Sequence, residues 1–435
     1  MKINQKQVRN SLIVAILIAV LCASSYYYGV SSSYVGTTSE VWVNPPFSEA
    51  SYVVGQYNST YYYAQNCTTG KYDFGNVAVS EGYVSSNASY VIQSCINSLT
   101  RGGKIFIKAG FYTITAMIHW QEKSITLIGE GSGTGGTAGA NTPTCLKPTS
   151  AIGANPVIKI GALGVETQRG GIEDLTIDAY NGGARVATIT GGIELIDTSY
   201  MTFKNVFLNY FCNDGLIQFG WYCHGQVYPL VTTTFANSFY DCQTYACQRH
   251  LILEGACDGY SFYSQKIMDG IPGSYGVLID KLTTHCDSHK FYGLSIHLLD
   301  DVGDIGVYLK AAQAAEFYGT RFETGCTKEI QIDNTSNDCK FFGGAPHWNL
   351  ITDNGVRTRF YGVGYGLDNQ IENCGTGIGN GTQQYIAHHL KGQPNEVSVV
   401  PDVTGTTVTN IWADATNIYC TVTSGKAYHW SAKIV

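Results

Sequence analysis

Five residues at strand ends set the chemistry this chain could perform. Glu254, Asp280, Lys310, Asp333 and Asp353 stand at the ends of the segments HLILEG, YGVLID, IGVYLK, EIQID and WNLITD. If those segments stack as successive turns of one coil, the five side chains form a column in the order acid, acid, base, acid, acid. Carboxylates on adjacent turns would then stand about 5 Å apart and those two turns apart about 10 Å. These are near the separations with which glycosidases retain or invert configuration. Crowding also raises the pKa of one carboxyl and makes it a proton donor. Glu254, Asp280 and Asp333 are therefore catalytic candidates, with Lys310 as a substrate contact. A plainer reading stands beside this one: strand-end acids accept hydrogen bonds from the following turn, and Lys310 only balances its neighbours.

A second group is LLDDVGDIG, with Asp300, Asp301 and Asp304 close in sequence to His285, His289 and His297. Asp300 and Asp301 are further catalytic candidates. Together with Asp304 they are also a candidate calcium site, because hard cations take several carboxylate oxygens. A solvated loop accounts for them equally well, and the histidines have ordinary surface and packing uses. No cofactor is required, and calcium is the candidate ion. The third group is aromatic. The 31 tyrosines and 6 tryptophans exceed the needs of one core, and sugar faces stack on exposed rings whose polar edges stay wet. Trp221, Tyr222, Trp348 and Tyr361 are the candidate substrate platforms, while most rings are expected inside the coil.

Those side chains meet only if the chain winds regularly. GGKIFIKAGFYTITAMI, from Gly102, alternates apolar and polar residues, turns on a glycine and alternates again, leaving no room for a helix. Further on, strands bearing Phe239, Phe262, Phe291, Phe317, Phe341 and Phe360 return every 23, 29, 26, 24 and 19 residues. Repeats of this length made of short strands and corners indicate a solenoid. The expectation is an all-β, right-handed parallel β-helix; propeller blades of four strands would need longer repeats. One helix is expected, NASYVIQSCINSL, with Ile92, Cys95, Ile96 and Leu99 on one face and Asn87 or Ser89 as its cap. Its expected role is to cover an open sheet end.

The order of NASYVIQSCINSL, GGKIFIKAGFYTI, SITLIGEG from Ser124 and TCLKPT from Thr144 resembles the opening of the pectate-lyase-like superfamily. That resemblance spans roughly residues 83–369, its specific part being the first seventy. It implies the β-helix fold, but it leaves activity open, since the superfamily holds lyases, hydrolases and tailspikes. The Asp300–Asp301 pair is similar to that of polygalacturonases, but no G-H-G or R-I-K element follows, so their roles do not carry over. YIAHHLKGQPNEVSVVP, from Tyr385, resembles the H-G-L-G-x-x-P-x-x-V opening of the small β-sandwich that ends many tail fibres, with His389 in place of the first glycine.

The expected organisation is a leader over residues 1–30, an irregular Tyr/Ser/Thr-rich stalk or cap over 31–82, the β-helix over 83–382 and a small β-sandwich over 383–435. Lys2, Lys6 and Arg9, the apolar run 12–21 and small residues at Ala23, Ser24 and Ser25 describe a secretory signal. An uncleaved membrane anchor over 11–30 is the alternative, and either places the remainder outside the cell. Glycosylation triplets begin at Asn58, Asn66, Asn87, Asn334 and Asn380. The cysteines lack the close CxxC spacing of zinc sites and read as disulfides or buried thiols. Only 14% of residues are charged, the net charge is −7 and no basic cluster occurs, which argues against nucleic acid as a partner. The expected partner is a polysaccharide or cell-surface glycan, bound along the coil, with lyase or glycosidase chemistry as the candidate activity. A non-catalytic adhesin or tailspike-like fibre is the alternative, and assembly into a homo-oligomer suits either.

Overall fold

The computed structural model describes residues 50–133, 144–181, 184–212, 217–225, 234–281, 286–298, 302–323, 326–347, 350–361, 372–387, 393–401, 407–415 and 417–433. The chain is a parallel β-helix followed by an antiparallel module. One sheet of nine strands shows the winding most directly. It runs from Ile118–Trp120 through Pro156–Ile160, Gly191–Ile196, Phe219–Gly225, Arg249–Gly255, Tyr275–Asp280, Ile305–Lys310 and Lys328–Ile332 to Ile351–Asp353. Each strand pairs in parallel with the one a full turn earlier. A second, 18-stranded sheet and a third of five strands supply the remaining walls.

Alternation builds the interior. In Ser261–Tyr263, Lys290–Tyr292, Glu316–Tyr318, Lys340–Phe342 and Arg359–Tyr361 the central phenylalanine is buried and its neighbours point outward. Phe203, Phe239, Phe262, Phe291, Phe317, Phe341 and Phe360 therefore stack in one internal column, at ring spacings of 4.6–4.9 Å. The corner after each strand needs a left-handed residue. Asp241 (φ 51°), Ser264 (54°), Gly293 (66°), Gly319 (64°) and Gly343 (61°) occupy it in turn. Glycine adopts this conformation without a Cβ penalty, and the short polar side chains tolerate it. Each corner N–H donates to the carbonyl of the outward ring residue one turn later, at 2.7–2.9 Å, so the corners hold the turns in step.

The one α-helix among the described residues, Ala88–Ser98, is capped by Asn87, whose Oδ1 accepts the Tyr90 N–H at 3.1 Å. It buries Val91, Ile92, Cys95 and Ile96 into the solenoid core. Ahead of the helix, antiparallel pairs join Tyr52–Gln56 to Tyr62–Asn66 and Val77–Val79 to Gly82–Val84; the C-terminal antiparallel module begins at Glu372–Ile378. From there two three-stranded sheets share a small core of Val399, Ile418, Cys420, Val422, Tyr428, Trp430 and Ala432.

Twelve cysteines have described side chains, all of them thiols: Cys67 is exposed and the other eleven are buried. Cys257 and Cys286 are register neighbours, but parallel side chains about 4.8 Å apart exceed the Cβ separation a disulfide needs. Instead Cys257 donates to the Cys223 carbonyl at 3.1 Å, and the Cys286 sulfur lies 3.3 Å from His289 Nε2. The disulfide expectation is thus replaced by packing of small apolar side chains. No helix among the described residues is long and apolar enough to cross a membrane; the leader lies outside the described residues.

Candidate functional site

The nine-stranded sheet aligns His224, Glu254, Asp280 and Lys310 in one row. The Lys310 ammonium donates to Asp280 at 2.7 Å, and this contact raises the lysine pKa. Asp333 does something else. Its Oδ1 accepts from the Ala311, Thr335 and Ser336 N–H groups, each at 3.1 Å, and from the Thr335 and Ser336 hydroxyls at 2.8 and 3.0 Å. Burial pushes this carboxyl up, but the converging donors outweigh it and hold it below its usual range. Asp333 is therefore corrected from catalytic candidate to turn cap. Asp353 leaves the row as well: the shortest repeat pairs it with Ile332, and it accepts the Gly355 N–H at 2.9 Å.

Removal of the Asp333 carboxylate tests that correction. Asp333→Ala is expected to lower stability by about 1.5–3 kcal/mol at pH 7, the range for hydrogen bonds to charged groups. Because the folded pKa is depressed, the contribution is present above an unfolded value of about 3.9 and fades as pH falls through the folded one. Urea midpoints of the variant and the parent should therefore converge in acid.

The sheltered part of the sheet lies one turn earlier. Glu194 accepts from His224 Nε2 at 3.0 Å and faces the Lys159 ammonium at 3.5 Å. Burial raises this carboxyl, yet His224 and Lys159 together bring it below its ordinary value. The His224 ring stacks on Tyr222 with centroids 4.2 Å apart. Burial and then the adjacent Glu254 carboxylate, which the Tyr222 hydroxyl meets, push the phenol well up. A carboxylate-oriented histidine thus sits against a protonated tyrosine, a pair able to accept and to supply a proton.

A different face carries the rings. The residue after each internal phenylalanine points outward, giving Tyr240, Tyr263, Tyr292, Tyr318, Phe342 and Tyr361, in register turn after turn. Their centroids are 4.7–5.0 Å apart and their planes within 11° of parallel. Since ring contact needs only about 3.5–4.0 Å, the rings must overlap like tiles. Tyr263, Tyr292, Tyr318, Phe342 and Tyr361 are half-buried. Tyr240, at the end of the row, is 37% exposed. Five steps of about 4.8 Å make the row roughly 24 Å long. Lys290, Lys340 and Arg359 flank it in the column two residues earlier, where Glu316 pairs with Lys340 at 2.9 Å and accepts the Tyr318 hydroxyl at 2.7 Å. That last contact pushes the Tyr318 pKa up to about 12.

No family model and no curated protein matches the chain. Solved structures do. ORF18 of Geobacillus virus E2 is similar at 14% identity over 84% of this chain and 83% of its own, with a TM-score of 0.40. The tailspike gp49 of Acinetobacter baumannii bacteriophage Fri1, a capsular polysaccharide depolymerase, is similar at 9% identity over 79% and 81%, with a TM-score of 0.38. The tailspike protein of Acinetobacter phage vB_ApiP_P1 is similar at 11% identity over 80% and 84%, with a TM-score of 0.43. Likeness at this level assigns no activity; the parallel register itself establishes the winding.

Of the candidate platforms, Tyr361 ends the outward row and Tyr222 belongs to the histidine cluster. Trp221 is corrected: it is fully buried, edge-on to Phe203 and Phe239 at 5.1 Å each, because odd positions of Phe219–Gly225 face the core. Trp348, Asp300, Asp301 and His285 lie outside the described residues. Asp304 is buried and accepts the Ser274 N–H at 2.7 Å. Among the described residues no group of three metal-ligating side chains converges, so the calcium expectation gains no ligand set there. His289 is buried, with its pKa held down to about 3 by burial; His297 lies 3.8 Å from Glu323. Glu194, His224 and Lys159 went unnoticed in the sequence, as did the outward rings. The signal for the rings was present: Phe-Tyr or Phe-Phe recurs once per turn, and alternation sends the second ring out.

Proposed function

We propose that this chain is an exported surface protein whose solenoid binds an extended polysaccharide along the outward rings. The observation that carries this reading is the row from Tyr240 to Tyr361, which offers one equivalent ring per turn in register. A small ligand is best held by one enclosed pocket. A row of equivalent contacts at a fixed step suits a polymer of repeated units; each half-covered ring provides an apolar surface, and the tyrosines add polar hydroxyl edges. Affinity electrophoresis through gels containing acidic or neutral polysaccharides tests it: at least one should retard the full chain, and retardation by none would remove the proposal.

Cleavage is a second reading, favoured by the contact of Glu194 with His224 beside Tyr222. Glu194 would orient the imidazole that takes a proton, and Tyr222 would return one to the departing oxygen. Glu194→Gln and His224→Ala are then each expected to lower turnover by about 100-fold or more, the scale of general acid–base catalysis. Release of reducing ends and of unsaturated uronates, measured with the retarding polysaccharide, checks this. Parent protein that releases neither leaves binding as the function.

A further inference from the structure

We propose that the C-terminal module carries its own binding site for a neutral saccharide, on the outer face of the sheet formed by Gln383–Ala387, Asn417–Val422 and Val408–Ala413. This site stands apart from the solenoid rings and does not depend on them.

The register places Tyr385, Tyr419 and Trp412 side by side across the three strands. The opposite face of the central strand, through Ile418, Cys420 and Val422, already fills the module core. The three rings therefore contribute nothing to that core, and Tyr385 and Trp412 remain 68% and 49% exposed. They are nonetheless ordered against each other. Trp412 lies on Tyr419 with centroids 3.6 Å apart and planes 4° from parallel, while Tyr385 meets Tyr419 nearly edge-on at 5.1 Å. The Tyr419 hydroxyl donates to Asp414 Oδ2 at 2.5 Å, and Asp414 Oδ1 accepts the Asn417 N–H at 2.7 Å. A bulge between Thr409 and Trp412, with Asn410 at φ 55°, places the indole in this row. Bulges commonly re-aim a side chain next to a site. Among the described residues Trp412 is on an edge strand of its sheet, with no further strand of that sheet beyond the side turned away from Tyr419.

The chemistry of the face selects the occupant. QQYIA, NIYCTV and VTNIWA contain no Lys, Arg, Asp or Glu, whereas the partner sheet carries Glu372, Glu396 and Lys433. Gln383, Thr421 and Thr409 form the adjacent row, supplying neutral donors and acceptors. An apolar ring surface beside uncharged hydrogen-bonding groups matches a sugar, which has a C–H face and a rim of hydroxyls. An anionic ligand finds no counter-charge on these strands. The outer two strands are about 10 Å apart, which suits a short saccharide.

The test uses the full chain in native gels containing dextran, a soluble β-glucan or a mannan, with sedimentation velocity in parallel. One of these neutral polymers should retard the parent. Trp412→Ala and Tyr385→Ala should each lose at least about tenfold in apparent affinity, Trp412→Phe should retain most of it, and Tyr90→Ala, exposed on the helix and outside both ring rows, should leave it unchanged. Far-UV circular dichroism and the thermal midpoint verify that the variants fold. Three results would overturn the proposal: no retardation by any of the three polymers, equal retardation of parent and Trp412→Ala, or a parental oligomer that dissociates on Trp412→Ala, which would make the face a contact between copies.

Discussion

Replacing Tyr263, Tyr292 and Tyr318 together by alanine is expected to weaken polysaccharide binding on the order of a hundredfold while the protein stays folded. The three rings are consecutive members of the outward row, 5.0 and 4.9 Å apart, and would contact neighbouring units of one polymer. Aromatic contacts contribute about 0.5–1.5 kcal/mol each, and each 1.4 kcal/mol is tenfold in affinity. Three lost contacts thus amount to roughly 1.5–4.5 kcal/mol, before the overlap of neighbouring rings is considered. The triple Tyr→Phe variant separates ring from hydroxyl: retained affinity assigns the effect to the apolar surface, while lost affinity assigns it to hydrogen bonds. Either variant is measured by affinity electrophoresis against the polymer that retards the parent.

The second large effect sets neighbouring residues against each other. Phe291→Ala should destabilise the protein by about 3–5 kcal/mol, as for other buried phenylalanines replaced by alanine. Phe291 is fully buried and stacks at 4.6 Å on both Phe262 and Phe317, so its loss leaves a void in the middle of a continuous column. Tyr292→Ala removes a ring of similar size from the same strand but the outer face. Two cross-strand neighbours at about 0.2–1 kcal/mol each limit its cost to roughly 2 kcal/mol. Urea unfolding followed by circular dichroism distinguishes the two. Because solenoid turns are stabilised chiefly by their neighbours, the Phe291 variant should also soften the turns containing Phe262 and Phe317. Hydrogen exchange at those turns reports this.

The sequence displayed the winding because repetition did the work: the phenylalanine spacing and the flanking glycines survive even where single strands are three residues long. It also showed that Glu254, Asp280 and Lys310 stand at equivalent strand ends. It did not reveal what else reaches those ends. Asp333 resembles its neighbours in position, but Thr335 and Ser336 follow it and fold back on its carboxylate. Glu194 and His224 share no motif, since they meet diagonally between turns 30 residues apart. Trp221 was misassigned for a simpler reason. A tryptophan has the same composition signal on either face, and only the phase of alternation decides which. That phase also decides the outward tyrosines, which are legible once the buried phenylalanines are fixed.

The central claim is that equivalent rings, one per turn, hold successive units of one polymer. Calorimetric titration with a length series of oligosaccharides, prepared from the polysaccharide that retards the parent, tests it most directly. Affinity should climb with each added unit until the oligosaccharide spans the row of about 24 Å, then level off, and the climb should vanish in the triple alanine variant. Full affinity already at one or two units, or an unaltered climb without the three tyrosines, would contradict it.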